Sequence, residues 1–281
     1  MADFSQAHSL LAHPLLAAMS DIARDAGAIA MRYFTTGAET SARVDYKNGG
    51  SPVSEADIAV DTLLRERLRP LAPEAAWLSE ETADNPDRLS SAKLFIVDPI
   101  DGTRAFIKGD ERWSISIALV ENQRPILAIL HLPAIGDTFA AAKGGGAFLH
   151  RAGTITQLTT SGREILAGST VGGPLGFLDA LTKNHLDLVR EPRVPSLAYR
   201  MARVASGDVD ASMASADSWD WDVAAADLIV NEAGGLFTGL DGQQPLYNRE
   251  RPRHGILAAG PPVLQRQLLE AMRIALPQKP S

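Results

Sequence analysis

The sequence contains no cysteine among its 281 residues. This absence excludes disulfides, thiolate metal ligands and a cysteine nucleophile, and it fits a reducing compartment. The chain also lacks any run of about 18 apolar residues, so no membrane-spanning helix is predicted. The N-terminus lacks the positive region of an export signal, since Asp3 stands there and His8 interrupts the apolar part. We therefore expect a soluble, cytoplasmic protein.

Basic residues are fewer than acidic residues: the chain has 27 lysines and arginines and 34 aspartates and glutamates, which gives a net charge of −7. This balance argues against a broad nucleic-acid surface, which requires clustered positive charge. It is compatible with a small anionic substrate, because bound divalent cations reverse the local field. The histidines lack zinc-motif spacing, and the glycine run at 144–146 lacks the features that follow in a P-loop. We predict a hairpin turn at those glycines.

The motif Asp98-Pro99-Ile100-Asp101-Gly102-Thr103 follows a short apolar run that is typical of a buried strand. Its proline is expected to end the hydrogen-bond ladder of that strand. Its glycine allows a tight turn, and its threonine begins a helix or turn with free N–H groups. Carboxylate oxygens beside such N–H groups suit Mg²⁺ and a phosphate held together. An ordinary turn explains the same residues, since Asp, Pro and Gly favour turns.

A second acidic pair, Asp220 and Asp222, opens a helix predicted over residues 221–233. Capping and the helix dipole explain at least one of these aspartates. The pair lies beside Trp219 and Trp221, and a metal ligand is the second explanation. Local physics leaves both explanations open.

Hydrophobic periodicity changes near residues 150–160, where we predict a boundary between two halves. Residues 1–155 contain helices and period-two strands joined by short turns, which predict an antiparallel sheet. Residues 156–281 alternate strands and helices, which is typical of an α/β unit. A cleft between the halves is the expected site. Other expectations are a first helix from Leu15 with Gly37 as its stop, a helix capped by Ser54 that buries Ile58, Leu64 and Leu68, and a strand over residues 165–167.

Three segments together resemble the signatures of the inositol monophosphatase superfamily. They are the 98–103 motif, the run Trp221-Asp222-Val223-Ala224-Ala225, and Glu232-Ala233-Gly234-Gly235, with Ser79-Glu80-Glu81 upstream where the family carries a metal-binding glutamate. The resemblance implies a layered α-β-α-β-α fold of the inositol monophosphatase and fructose-1,6-bisphosphatase type. Its N-terminal half would be α+β and its C-terminal half α/β. It also implies Mg²⁺-dependent hydrolysis of phosphate monoesters, often inhibited by Li⁺.

The resemblance implies a metal site with two or three Mg²⁺ ions. Glu80, Asp98 and the Ile100 carbonyl would hold the first ion, and Asp98, Asp101 and Asp222 the second. Two such ions neutralise the carboxylates, which would otherwise repel a phosphate ester that carries about two negative charges. Asp98, shared by both ions, is therefore implied in catalysis.

Glu80 and Thr103 are implied to position the attacking water and help to deprotonate it. The N–H groups of Gly102 and Thr103 are implied to bind the phosphate. Many relatives carry an aspartate where this chain has Ser51, and that aspartate supports the threonine. Asp57 or Asp45 can take its place, and the sequence leaves this choice open. The residues implied to contact substrate are Asp101, Gly102, Thr103, Arg200, Asp222 and Lys47.

Two segments favour one subfamily. The run Arg104-Ala105-Phe106-Ile107-Lys108-Gly109 and the pattern at 51–57 resemble bacterial 3'(2'),5'-bisphosphate nucleotidases. Arg200 lies where that group places a basic residue near the substrate. Adenosine 3',5'-bisphosphate is the expected substrate. Inositol 1-phosphate, histidinol phosphate and sugar bisphosphates stay open, as does a metal- and anion-binding regulatory protein without turnover. The expected partner is a small phosphate ester, and no binding to a nucleic-acid polymer or a membrane is expected. The sequence leaves open whether the protein is a monomer or a homodimer.

Overall fold

The computed structural model describes residues 13–47 and 49–276. The N-terminal stretch with Asp3 and His8 lies outside them, so the export prediction stays a prediction. None of the described helices has both the length and the apolar character needed to cross a membrane. The helices of the described ranges are α1 (Pro14–Ala30), α2 (Glu55–Leu68), α3 (Thr103–Ile107), α4 (Leu175–Lys183), α5 (Leu197–Ala202), α6 (Asp220–Glu232) and α7 (Pro262–Ala275).

The strands of these ranges form a seven-stranded sheet in the order β3 to β9, a five-stranded sheet in the order β11-β10-β12-β14-β13, and the pair β1-β2. Their bounds are β1 (Val44–Tyr46), β2 (Pro52–Ser54), β3 (Ala76–Ser79), β4 (Lys93–Asp101), β5 (Ser114–Glu121), β6 (Arg124–Leu132), β7 (Asp137–Ala142), β8 (Gly146–Arg151), β9 (Thr154–Gln157), β10 (Ser169–Gly172), β11 (Leu188–Arg190), β12 (Ala211–Ala214), β13 (Leu236–Gly239) and β14 (Leu257–Gly260).

The larger sheet is buried on both faces. β3 runs parallel to β4, and every later neighbouring pair is antiparallel, which confirms the predicted antiparallel sheet. Because side chains alternate across a strand, Phe95 and Val97 pack with α1 and α2. Leu94 and Ile96 face the other way and pack with α5 and α6. The turn predicted at the three glycines is also present, and Glu232 accepts hydrogen bonds from Gly144 N and Gly146 N.

The smaller sheet lies between two helical layers. Phe237 and Ala259 pack in the cluster that contains α5 and α6. Val171 and Met213 pack instead with α4 and α7. The order of layers is therefore α1 and α2, the larger sheet, α5 and α6, the smaller sheet, and α4 and α7. This confirms the predicted α-β-α-β-α class, while the boundary near residues 150–160 stays a prediction.

The start of α2 confirms the predicted cap. Ser54 N donates to the Asp57 carboxylate at 2.7 Å, and Asp57 N donates back to Ser54 Oγ. Leu64 and Leu68 are buried as predicted. The prediction for Ile58 is wrong, since 49% of it is exposed. It lies two residues from buried positions on both sides, and at 100° per residue that places it away from the core.

Three other local predictions are corrected. Pro99 interrupts the β4–β5 ladder but does not end it: Asp98 pairs with Ser116, and pairing resumes at Asp101 after a register shift. No strand forms at residues 165–167, because side chains bind the backbone there instead; Gln267 accepts from Leu166 N, and the Ile165 carbonyl accepts from a side chain. Helix α1 ends at Ala30 and continues as turns, so it stops before residue 37.

Candidate active site

Three carboxylates meet where β4 ends and α6 begins. Asp98 and Asp101 flank the register shift in β4, and Asp222 lies in the first turn of α6, which packs against β4, β5 and β6. One oxygen from each of the three lies within 4.8 Å of the others. Asp98 and Asp101 are buried, and Asp222 is half-buried. Clustered carboxylate oxygens of this kind are the hard donors that Mg²⁺ prefers.

The electrostatics of this cluster favour a bound cation. Burial, followed by the charges of Glu80 and the other carboxylates, raises the pKa of Asp98 well above its usual range. Burial and the charge of Asp101 raise the pKa of Asp222 to about 8. Burial raises the pKa of Asp101 to about 6, although its hydrogen bonds oppose the rise. A divalent cation would relieve this repulsion, because a cation next to a carboxylate favours its charged form. The residues present therefore fit a metal site.

Asp101 also joins the larger sheet to helix α5. Its carboxylate accepts hydrogen bonds from Ser196 Oγ at 2.5 Å, Leu197 N at 3.1 Å and Ala198 N at 2.7 Å. The last two donors are the first N–H groups of α5, which have no acceptor inside the helix. A negative charge at a helix N-terminus is stabilised by the helix dipole. The sequence did not indicate this contact, although Ser196 before an apolar run is typical of a helix cap.

Glu80 lies just beyond β3, and its backbone N–H donates to the Val97 carbonyl of β4. Its carboxylate is outside the three-carboxylate cluster. Lys47 Nζ lies 3.0 Å from Glu80 Oε1 and 2.7 Å from Glu81 Oε1. Burial raises the pKa of Glu81 to about 7, although the Lys47 ammonium opposes the rise. The roles of Glu80 in metal binding and of Lys47 in substrate binding stay predictions.

Gly102 and Thr103 form the turn from β4 into α3. Gly102 has φ +97°, a conformation that side chains rarely adopt, and a Cβ there would lie 3.3 Å from Ser196 N. As the first residues of α3, both present N–H groups without an acceptor inside the helix. The Thr103 hydroxyl lies 3.0 Å from the Ile100 carbonyl, the atom that was also predicted as a metal ligand. The geometry suits phosphate binding, which stays a prediction.

The structure decides which carboxylate contacts Thr103. Asp57 Oδ1 lies 3.2 Å from Thr103 Oγ1 and accepts its hydrogen bond. The other oxygen of Asp57 accepts from Ser54 N and Ser54 Oγ. Ser51 is exposed, and Asp45 is also exposed. Asp57 is therefore the carboxylate that orients the threonine hydroxyl, and it does so from the capping position of α2.

Arg200 lies in α5 near the carboxylates. Burial lowers its pKa, the charges of Asp101 and Asp222 raise it, and the charge of Arg193 lowers it. Its Nη1 donates to the Val194 carbonyl at 3.3 Å. Its Nε is shielded from solvent and has no hydrogen-bond partner within residues 13–47 and 49–276. The guanidinium therefore has unused donors beside the site.

Two aromatic groups and one cation at the rim were missed by sequence reasoning. Trp219 and Trp221 stack at the start of α6, and Arg253 lies over the Trp219 ring. In the sequence, Arg253 is part of a small basic cluster with Arg249, Arg251 and His254, for which a solvated loop is the ordinary explanation and phosphate contact the alternative. No local pattern connects Arg253 to the tryptophans, because the contact is made between distant parts of the chain.

Comparison with known proteins gives relatives along nearly the whole chain. A profile of the inositol monophosphatase family matches residues 11–276. The 3'(2'),5'-bisphosphate nucleotidase CysQ of Aggregatibacter actinomycetemcomitans is 30% identical over 252 residues, which is 85% of this chain and 90% of the relative. The inositol-1-monophosphatase of Mesorhizobium japonicum is 30% identical over 270 residues, covering 92% and 96%. The histidinol-phosphatase of Streptomyces coelicolor is 34% identical over 245 residues, covering 81% and 86%.

The fold is shared with solved structures as well. The extragenic suppressor protein suhB of Bartonella henselae superposes with a TM-score of 0.79 at 26% identity, covering 92% of this chain and 98% of that one. The relatives are phosphatases with different named substrates, so their likeness supports the reaction class more than any one substrate. With the match over residues 11–276, the chain belongs to the inositol monophosphatase family of phosphatases.

Proposed function

We propose that the protein is a Mg²⁺-dependent phosphatase that converts adenosine 3',5'-bisphosphate to AMP and phosphate. The observation that carries the choice of a bisphosphate is Arg200, a partly buried cation with unused donors beside the carboxylate cluster. The likeness to CysQ supports the same substrate. Relatives named for inositol and histidinol phosphates are equally similar, so substrate preference requires a direct test.

Asp98, Asp101 and Asp222, with Glu80 and the Ile100 carbonyl, would hold two or three Mg²⁺ ions. When bound, Mg²⁺ would neutralise the carboxylates, make water more acidic and stabilise the charge that develops on the phosphoryl group. The chain's own residues position the phosphate and the attacking water.

The N–H groups at the start of α3 face the phosphate as donors. The Thr103 hydroxyl, fixed by Asp57 at 3.2 Å, holds one orientation toward the attacking water, and Glu80 accepts the proton of that water. In this assignment the water oxygen forms a bond to phosphorus as the bond from phosphorus to the ribose 3'-oxygen breaks. The 3'-oxygen takes up a proton from solvent and stays on the nucleotide as a hydroxyl.

Arg200 would bind the second phosphate of the substrate. A guanidinium presents several N–H donors in a rigid plane that matches phosphate oxygens. Its present partner is one carbonyl at 3.3 Å, a weak contact for a charged group. Ordering a cation without a carboxylate partner costs free energy, and an incoming dianion would offset this cost. A substrate with one phosphate would leave these donors unused.

The first test compares phosphate release from adenosine 3',5'-bisphosphate, inositol 1-phosphate and histidinol phosphate, with and without Mg²⁺. We expect kcat/KM for the nucleotide to be about a hundredfold higher than for inositol 1-phosphate or histidinol phosphate, which is close to 3 kcal/mol of discrimination. A preference for inositol 1-phosphate or histidinol phosphate would assign the protein to that substrate instead. No Mg²⁺-dependent release from any of them would favour a binding protein that has kept its ligands.

The second test replaces Arg200 with Met, which has a similar length and no charge. We expect KM for the bisphosphate to rise about 30-fold, since a hydrogen bond to a charged group contributes about 1.5–3 kcal/mol. The matched control is Arg203→Met. Arg203 lies at the end of the same helix, but its guanidinium pairs with Glu191. A rise in KM for bisphosphate and monophosphate alike in Arg200→Met would exclude this role.

A further inference from the structure

Three planar groups are stacked at the start of α6. The rings of Trp219 and Trp221 are nearly parallel, at 12°, with centroids 4.6 Å apart. The guanidinium carbon of Arg253 lies 3.8 Å from the Trp219 ring centroid. A gap of 4.6 Å between two rings is too narrow for a guanidinium, so Arg253 must cover the opposite face of Trp219. The order of the stack is therefore Trp221, Trp219, Arg253.

The stack adjoins the carboxylate cluster. The backbone N–H of Trp219 donates to Asp222 Oδ2 at 2.6 Å. The charge of Arg253 also acts on Asp222 and lowers its pKa, against the larger effect of burial. Backbone pairing between residues 219 and 253 fixes the loop before β14 to the start of α6. The stack thus has a fixed place at the rim of the candidate site.

Within the described ranges, the guanidinium of Arg253 makes no hydrogen bond to a carboxylate, and its ion pair with Asp217 is long. The nearest carboxylate oxygen, Asp217 Oδ1, lies 3.8 Å away, beyond hydrogen-bond distance. That same oxygen is bound by Arg251 at 3.0 Å. The Arg253 side chain is 33% exposed, so the face turned away from Trp219 is reached from solvent. A flat cation is thereby held at the rim with an accessible face.

We propose that the outer face of Arg253 is the platform on which the purine base of the substrate stacks. This inference rests on the proposed function and names how the nucleoside part is recognised. Guanidinium planes stack on nucleobases, and every base offers a π face for such a contact. The Trp219 ring beneath holds the planar guanidinium in place before substrate arrives, so less conformational freedom is lost on binding. A saturated ring such as inositol offers no π face and gains nothing from this platform.

The test uses Arg253→Lys and Arg253→Met. Lysine keeps the charge and loses the plane, and methionine loses both. Stacking contributes about 1–3 kcal/mol per base, so each variant should lower kcat/KM for adenosine 3',5'-bisphosphate by about tenfold. Arg253→Lys, which keeps the charge that acts on Asp222, should not change the value for 2-glycerophosphate, which has no base, by more than about twofold. Arg251→Lys is the matched control, since Arg251 is 76% exposed and pairs with Asp217.

A binding measurement without turnover completes the test. AMP, the product of the proposed reaction, added with Mg²⁺ should quench tryptophan fluorescence, and the quench should shrink in Trp219→Phe and in Arg253→Lys.

If Arg253→Lys keeps wild-type activity while Arg253→Met loses it, the charge of Arg253 contacts a phosphate of the substrate. That result would overturn the proposed stacking of the base. An equal loss on both substrates would also overturn it, while leaving the proposed function intact. If the unmodified protein shows no preference for the nucleotide over 2-glycerophosphate, both the proposed function and the platform fail.

Discussion

Asp57→Asn tests whether a helix-capping carboxylate also directs the chemistry. Asp57 accepts three hydrogen bonds: from Ser54 N at 2.7 Å, from Ser54 Oγ at 2.6 Å and from Thr103 Oγ1 at 3.2 Å. Asparagine has the same shape but only one acceptor oxygen. If that oxygen keeps the two Ser54 contacts, the amide NH₂ faces Thr103. The threonine hydroxyl must then donate to the Ile100 carbonyl, which lies 3.0 Å away.

We expect the protein fold to survive this change, because Ser54 N, Ser54 Oγ and Thr103 Oγ1 each still have an acceptor. The loss of charge from three hydrogen bonds should lower the free energy of unfolding by about 1–2 kcal/mol. The effect on activity should be larger. The amide then occupies one of the two lone pairs of the Thr103 hydroxyl, and its O–H turns toward Ile100, so the hydroxyl no longer holds the attacking water in the original orientation. Proton-transfer and water-orienting groups contribute about 10²–10⁴ in rate, so kcat should fall about a hundredfold, or close to 2.7 kcal/mol.

Ser54→Ala is the matched control. It removes the capping hydroxyl, at a cost of about 1 kcal/mol, and leaves the Asp57–Thr103 contact in place. Urea unfolding of both variants measures stability, and steady-state phosphate release measures kcat and KM separately. We expect similar stabilities in the two variants and a loss of kcat in Asp57→Asn alone. If Asp57→Asn keeps kcat within about threefold of the unmodified protein, Asp57 is only a helix cap.

Three further predictions concern the metal site, the turn and pH. Asp98→Asn should abolish Mg²⁺-dependent turnover. It should not lower the unfolding temperature measured without metal, because it removes a buried charge that its neighbours repel. Near-normal rates at saturating Mg²⁺ would exclude Asp98 as a metal ligand. Gly102→Ala should lower the unfolding temperature more than Gly136→Ala does. Both glycines have positive φ, but only at Gly102 would a Cβ lie 3.3 Å from Ser196 N. Equal losses would show that this close contact does not affect stability. Burial lowers the pKa of His131 from 6.5 to about 4, so the unfolded chain binds the proton first. The contribution of His131 to the free energy of unfolding should therefore be fully present above pH 6.5 and fall by about 3 kcal/mol toward pH 4. The difference between the unmodified protein and His131→Gln in urea titrations isolates this contribution, and a difference that does not change with pH would contradict it.

Local elements were predictable where neighbouring residues decide them. The capping pair Ser54 and Asp57 lies three residues apart, so the sequence predicts the start of α2. Period-two alternation predicts β5, where Ile117 and Ala118 face opposite clusters. Periodicity fails for the short apolar run at 165–167. There the side chain of a distant residue, Gln267, takes the hydrogen bond that a neighbouring strand would otherwise accept.

The sequence predicted which residues form the site but not which residues they contact. The motif at 98–103 and the start of α6 identified the three carboxylates by resemblance, and the structure brings them within 4.8 Å of one another. Their hydrogen-bond partners were not visible in the sequence. Asp101 binds the start of α5, 96 residues away at Leu197, and Thr103 binds Asp57, 46 residues away.

The sequence by itself therefore determined most helices and the antiparallel strands, and its resemblance to a known family implied the layered class and the acidic side chains of the site. Periodicity and capping depend on contacts within a few residues, so they can be worked out along the chain. Only the tertiary structure decided that Asp57 orients Thr103, that Lys47 binds Glu80, and that Arg253 stacks on Trp219. Each of these contacts joins separate segments, and the packing of the layers sets their distances.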